Sequence, residues 1–143
     1  MNKTITLLLL FLPLFGYSQI NPELEPYHAK FLSEASLRNV TLEAAPNKID
    51  FFQTKSKTKY GAYLKDLDGV TYVFFNHALW NKMNETEKEL LAFHEFAHYY
   101  LKAHHILHRT DIMNTYSTPE LLAIYLTNRK QLIDKLFEKC VQL

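Results

Sequence analysis

The stretch from Leu90 to Leu101 constrains the fold more than any other part of the sequence. It reads Leu-Leu-Ala-Phe-His-Glu-Phe-Ala-His-Tyr-Tyr-Leu and is apolar almost all round when drawn as a helix. A helix that is apolar on all its faces is buried in the centre of a domain. We therefore expect this helix to lie between a sheet on one side and a C-terminal subdomain on the other.

Two histidines of this helix, His94 and His98, stand four residues apart. Residues at i and i+4 lie on one helix face, so both imidazoles can reach a single ion. Glu95 is rotated by about 100° from His94, where its carboxylate can hold and deprotonate a water molecule. This H-E-x-x-H arrangement is typical of zinc hydrolases. The alternative is that both residues are buried helix histidines with carbonyl partners.

A third metal ligand has to come from elsewhere, because a catalytic zinc site uses three protein ligands and an open position for water. His104 follows His98 by six residues, and His105 follows it by seven. Glu120, on a later predicted helix, is the third candidate. It also has a structural explanation as an acid in a capping box with Ser117. Spacing alone leaves all three candidates open.

The remaining sequence predicts an α+β fold with an N-terminal helix, a small twisted sheet of three or four strands and a C-terminal helix. The first helix is predicted to begin near Leu24 and to end near Arg38, from the spacing of its apolar residues. Segments 40–44, 49–54, 60–64 and 70–76 have strand character, and Asp68-Gly69 predicts a hairpin between the last two. These elements would surround the central helix.

Helix boundaries can be predicted from the capping signals. Thr86 and Glu89 are spaced for a capping box before the central helix. Pro119 stands at the expected first position of the C-terminal helix. The apolar pattern of that helix predicts a break at Thr127-Asn128.

The first 18 residues have the pattern of a secretory signal peptide: a positive start, an apolar run from Ile5 to Phe15, and small residues before a cleavage point after Ser18. We expect residues 19–143 to form one domain that is exported to the periplasm or beyond the cell. Removal of Lys3 with the leader leaves 15 basic and 15 acidic residues. This balance argues against nucleic acid as a partner, and we expect a monomer that does not insert into membranes.

Residues 70–137 resemble the metzincin clan of zinc metalloproteases, and most closely its small exported matrixin-like bacterial members. Asp111-Ile112-Met113-Asn114 is similar to the methionine turn of that clan. Other shared features are Leu79-Trp80 before the glutamate-rich lead-in to the H-E-x-x-H helix, Ile-Met-Asn-Thr-Tyr after it, and the helix from Tyr125 through Asn128-Arg129 to Leu136-Phe137.

The resemblance implies a metzincin-like fold with one zinc ion per chain, Met113 beneath the metal and Tyr116 as a possible oxyanion stabiliser. Metzincins place glycine three residues after the second histidine, where this chain has Leu101, and their third histidine corresponds in spacing to His104. In the matrixin-like relatives the third histidine often stands one residue later, which matches His105. The chain also has Ala97 where glycine is usual, and a histidine pair where one histidine is normal.

The expected function is that of a zinc-dependent endopeptidase, with a zinc-activated water and Glu95 as general base. A peptide or protein substrate would lie extended along the edge strand of the sheet. Two alternatives remain: a zinc-binding module that holds a peptide or partner without hydrolysing it, and a gluzincin-type peptidase that uses Glu120 as its third ligand.

Overall fold

The computed structural model describes residues 18–53, 62–115 and 117–138, which form an α+β arrangement of four helices and a four-stranded sheet. The strands are β1 (Gln19–Ile20), β2 (Lys48–Phe52), β3 (Ala62–Leu67) and β4 (Val70–Asn76). The helices are α1 (Glu25–Leu37), α2 (His77–Trp80), α3 (Glu85–Leu101) and α4 (Pro119–Glu138). The predicted α+β class and the small sheet are confirmed.

The strand order in the sheet is β1-β2-β4-β3, so β3 lies at one edge. Strands β1, β2 and β4 are parallel, whereas β3 pairs antiparallel with β4. Asp68 and Gly69 connect β3 to β4 with positive φ angles of 52° and 76°. A type I′ turn needs positive φ at both central residues, and aspartate followed by glycine meets this need. The predicted hairpin is therefore confirmed.

The core forms where α1, α3 and α4 meet around Phe31. Its ring centroid lies 5.2 Å from that of Phe93, 5.7 Å from that of Phe96 and 5.2 Å from that of Phe137. The same Phe96 ring also packs edge-on against Phe75 of β4. The central helix is thus packed against both the other helices and the sheet, as its apolar sequence predicts.

A buried charge network also joins the three long helices. Glu89 of α3 accepts hydrogen bonds of 2.6 Å from both Tyr125 and Arg129 of α4, and one of 2.9 Å from Lys30 of α1. Burial alone would raise the pKa of Glu89, but the hydrogen bonds from Tyr125, Lys30 and Arg129 outweigh it and hold this pKa below its usual range. The carboxylate is therefore ionised and fixes α4 against α3.

Three local predictions differ from the structure. Residues 40–44 form no strand; this segment runs past the end of α3, where the Tyr99 hydroxyl donates to the carbonyl oxygen of Ala44. The capping box of α3 consists of Asn84 and Glu87 rather than Thr86 and Glu89, because Glu89 points inward to the charge network. In α4, the Thr118 hydroxyl accepts from the Leu121 amide, so Ser117 and Glu120 do not form the predicted box.

The predicted break in α4 is confirmed, since the backbone of Asn128 is non-helical there. Three predictions fall wholly or partly outside the described residues. They are the signal peptide, in its residues 1–17, the start of the third predicted strand, and Tyr116. In the described ranges 18–53, 62–115 and 117–138, every helix is too short or too polar to cross a bilayer.

Candidate metal centre

Three imidazoles converge at one point on the surface of α3. His94 and His98 lie one turn apart on the helix, and His105 approaches from the segment that follows it. The Nε2 atom of His94 lies 3.1 Å from that of His98 and 3.1 Å from that of His105, and the His98–His105 distance is 3.0 Å. The three nitrogens therefore form a nearly equilateral triangle that could hold a metal ion.

Backbone carbonyls fix the tautomers of the two helix histidines. The Nδ1 atom of His94 lies 2.7 Å from the carbonyl oxygen of Ile112, and that of His98 lies 2.6 Å from the carbonyl oxygen of Ala103. A carbonyl only accepts, so each Nδ1 carries the proton and donates. In the neutral rings, each Nε2 is then unprotonated, and the lone pairs of the two Nε2 atoms face each other.

Two facing lone pairs cannot hydrogen-bond to each other, and a proton on His105 satisfies only one of them. A cation at the centre of the triangle satisfies all three nitrogens. Three nitrogens bound tetrahedrally to zinc at about 2.0–2.1 Å lie about 3.3 Å apart, close to the observed triangle. The donor set also fits, because imidazole suits zinc and other late first-row divalent metals. The geometry of the three nitrogens is therefore one that could hold a metal ion.

The end of α3 explains why His105 reaches the triangle. Leu101, where metzincins have glycine, is still helical, and the next residue, Lys102, adopts the left-handed conformation with φ 51° and ψ 27°. The Lys102 amide donates to the carbonyl oxygen of Ala97, which closes the helix. The turn thus comes one residue later than a glycine at position 101 would place it, and the third histidine is also displaced by one residue.

The other two candidates for the third ligand lie outside the triangle of histidine nitrogens. His104 is exposed and lines the same cleft, but its nitrogens are outside the group of mutually close ligand atoms. Glu120 lies on the first turn of α4 in an ion pair of 2.7 Å with Arg109. Among the described residues, only His94, His98 and His105 form a group of three close ligand atoms.

Met113 is fully buried in the turn whose preceding residue, Ile112, bonds to His94 through its carbonyl oxygen. The Ile106 amide donates to the Met113 carbonyl oxygen across 2.8 Å, which ties this turn to the segment that carries His105. His28 and His77 lie apart from this centre: His28 bonds to the Tyr100 hydroxyl in the core, and His77 contacts Gln53 beside β2. The turn therefore supports the histidine site, whereas the other two histidines do not.

A cleft of about 660 Å³ opens beside the three histidines. It is lined by residues of the edge strand β3, of α3 and of the segments 102–105 and 112–115. Glu95 lines this cleft but is only 7% exposed. Much of the remaining wall is apolar, with contributions from Leu64, Leu79, Met83, Leu90, Leu91 and Leu121. The site thus joins a candidate metal centre to a cavity that has room for a ligand.

Burial sets the protonation states in this site. It lowers the pKa of His94 to about 4, against the opposing hydrogen bond to Ile112, and it also lowers the pKa of His98. Both rings are therefore neutral at pH 7, which is the form that binds metals. Burial raises the pKa of Glu95 to about 7, so this carboxyl can both take up and release a proton near neutrality.

The sequence did not reveal the groups that orient these ligands. The carbonyl oxygens of Ile112 and Ala103 are backbone atoms, which carry no residue-type signal. Asp111 is visible in the sequence, but only as part of the resemblance to a methionine turn, and its partner Lys135 lies on a different helix. These contacts depend on tertiary structure.

The chain matches no protein-family model, and neither a curated protein nor a solved structure is significantly similar to it. The residues of the site provide three converging imidazoles, a buried glutamate and a mainly apolar cleft.

Proposed function

We propose that this protein is a zinc-dependent endopeptidase built on a metzincin-like fold. The observation that carries the proposal is the convergence of three histidine nitrogens beside a buried glutamate in an open cleft. A site that only binds a metal needs no such carboxyl group. A hydrolase needs a base of this kind, held close to the ligands and able to exchange a proton near pH 7.

His94, His98 and His105 would hold the ion and leave one side of it open to the cleft. Zinc bound there would polarise the scissile carbonyl and make water a stronger nucleophile at neutral pH. Glu95 takes the proton of the attacking water and passes it to the leaving amine. Burial of the Glu95 carboxyl raises its pKa to about 7 in the metal-free protein, so this group can exchange a proton near neutrality before a metal binds.

The edge strand β3 supports a peptide as the substrate. Within the described part of the chain β3 pairs with β4 alone, and its residues Ala62 and Leu64 line the cleft. An extended peptide can add to such an edge through backbone hydrogen bonds, and this addition would place one of its peptide bonds beside the histidines. The apolar wall of the cleft would then receive side chains of the peptide.

The metzincin assignment is supported by the positions of the turn residue and of the third histidine, which are shifted along the sequence by the same amount. The left-handed turn residue, Lys102, and the third histidine, His105, each stand one residue later than in the usual metzincin motif. The third histidine therefore stays three residues past the turn residue, as it does in that motif. Met113 is buried, and its turn carries the Ile112 carbonyl oxygen that bonds to His94, which agrees with a methionine turn.

The gluzincin alternative is less well supported, since Glu120 is engaged with Arg109 and the third position already has a histidine. The non-catalytic alternative makes a different prediction about Glu95. If the cleft only holds a peptide, loss of the carboxylate should leave the function of the site intact.

The test is the Glu95→Gln variant, which keeps the shape of the side chain but removes the base. We expect wild-type protein loaded with zinc to cleave members of a mixed peptide library, and Glu95→Gln to bind zinc while losing most of this activity. Glu138→Gln, at the exposed end of α4, is the matched control and should cleave like wild type. Equal activity of Glu95→Gln and wild type would contradict the proposed mechanism.

A further inference from the structure

Asp111 is a buried carboxylate next to the metal centre that the proposed mechanism does not use. It is 2% exposed. Burial of a charged group is unfavourable unless the group is paired and hydrogen-bonded. Its Oδ2 atom lies 3.1 Å from the Nζ atom of Lys135 on α4, and its Oδ1 atom accepts the Met113 amide across 2.9 Å. The carboxylate is thus held between a helix and one particular peptide group.

That peptide group also binds a metal ligand. The Met113 amide N–H and the Ile112 carbonyl belong to the same peptide plane, and the Ile112 oxygen accepts the proton of His94 Nδ1 across 2.7 Å. Asp111 therefore holds the N–H end of this plane while His94 holds the C=O end. The Asn114 amide donates to the Asp111 carbonyl oxygen across 3.0 Å, which closes the turn around the plane.

We propose that Asp111, paired with Lys135, is a positioning residue that orients and polarises the Ile112–Met113 peptide and, through it, His94. Hydrogen bonds in such a chain strengthen one another. A carboxylate bonded directly to a ligating histidine fixes its ring and makes it a better ligand, and here one peptide group stands between the two. The inference rests on the proposed metal centre and goes beyond it.

The same turn reaches a second ligand. The Ile106 amide donates to the Met113 carbonyl oxygen, and Ile106 directly follows His105. Loss of the Asp111 carboxylate should therefore disturb the sites of both His94 and His105. His98 depends on a different carbonyl, that of Ala103, and should be unaffected. This difference separates positioning from a general loss of stability.

The experiment compares wild type with Asp111→Ala, which removes the acceptor, and Asp111→Asn, which keeps an oxygen for the Met113 amide but removes the charge. Lys130→Gln is the control, because Lys130 lies on α4 like Lys135 but forms its ion pair with Asp134 at the exposed surface. The affinity of each protein for Co²⁺ is measured by competition with a chelator. In the zinc-loaded proteins, the Nδ1–H resonances of His94 and His98 are followed by NMR.

We expect Asp111→Ala to bind Co²⁺ roughly ten- to a hundredfold more weakly than wild type, Asp111→Asn to lie between them, and Lys130→Gln to match wild type. In Asp111→Asn the Nδ1–H resonance of His94 should move upfield, because its acceptor is less polarised, while that of His98 stays in place. If Asp111→Ala does not fold, Asp111→Asn carries the test with the same two measurements.

Wild-type affinity in a folded Asp111→Ala would overturn this inference and leave the metal centre standing. If Asp111→Asn must carry the test, an affinity within about twofold of wild type and an unmoved His94 resonance would overturn it. Failure of wild-type protein to bind Co²⁺ would instead overturn the proposed metal centre, and the positioning role of Asp111 with it.

Discussion

The imidazole of His98 donates a hydrogen bond of 2.6 Å to the carbonyl oxygen of Ala103, five residues further along the chain. This contact is possible because Lys102 turns the backbone back over the last turn of α3 in the left-handed conformation. The end of the helix thus sets the orientation of one proposed ligand and the direction in which the chain leaves toward the next, His105.

Substitutions at Lys102 test this turn. The left-handed conformation is unfavourable for any residue with a β-carbon, whereas glycine adopts it freely. Lys102→Gly should therefore be more stable than Lys102→Ala by about 1 kcal/mol, since both variants lose the contacts of the lysine side chain with Glu43 and Tyr99. Urea denaturation measures the difference. Equal stability, or a more stable alanine variant, would show that residue 102 is not left-handed.

Glu95 should make the stability of the metal-free protein depend on pH. Its pKa of about 7 in the folded chain exceeds the ordinary glutamate value of 4.5, so the folded state binds this proton more tightly than the unfolded state does. This contribution to stability is complete below pH 4.5 and is lost as the pH rises through 7, a change of about 3 kcal/mol. Glu95→Gln removes the titrating carboxyl, so this loss of stability at high pH should disappear.

The measurement is denaturation of chelator-treated protein at pH 4.5 and at pH 8. Glu95→Gln should be more stable than wild type at pH 8, by up to about 3 kcal/mol, and similar to it at pH 4.5. The exposed-site variant Glu138→Gln should lack this pH-dependent gain. An equal effect of Glu95→Gln at both pH values would contradict the buried environment of the carboxyl.

The charge network around Glu89 predicts a large effect from one hydroxyl. Tyr125→Phe leaves a buried, ionised carboxylate with one hydrogen bond fewer and should lower the free energy of unfolding by about 2 kcal/mol. Tyr99→Phe is the matched control, because the Tyr99 hydroxyl bonds to a backbone carbonyl at the surface. A loss in Tyr125→Phe no greater than that in Tyr99→Phe would show that this hydroxyl does not stabilise the network.

Those parts of the site that depend on local periodicity could be predicted from the sequence. The spacing of His94 and His98 places both rings on one helix face wherever the helix lies. The third ligand depends on where the helix ends, and the residue that ends it is a lysine in a conformation that its residue type does not signal. The sequence therefore left His104, His105 and Glu120 open as third ligands, while the structure brings His105 to the other two histidines.

In the fold, too, features that depend on local sequence were predictable, whereas those that depend on tertiary packing were not. The Asp68-Gly69 hairpin was predictable because it depends on the conformational preferences of two adjacent residues, and the break at Asn128 because the apolar pattern of the helix is interrupted there. Strand β1 has only two residues, too few for a pattern, and residues 40–44 have strand character but pack beside α3 instead. The capping box at Asn84 could have been found, since asparagine followed three residues later by glutamate is a recognised helix start.

Zinc binding by two single variants tests the proposed centre most directly. Wild-type protein should bind one zinc ion per chain in native mass spectrometry and in chelator competition. His105→Ala should weaken zinc binding by several kcal/mol, roughly the loss of one of three ligands, and His104→Ala by about a tenth of that. The reverse ranking would contradict the site described here, as would a wild-type chain that binds no metal.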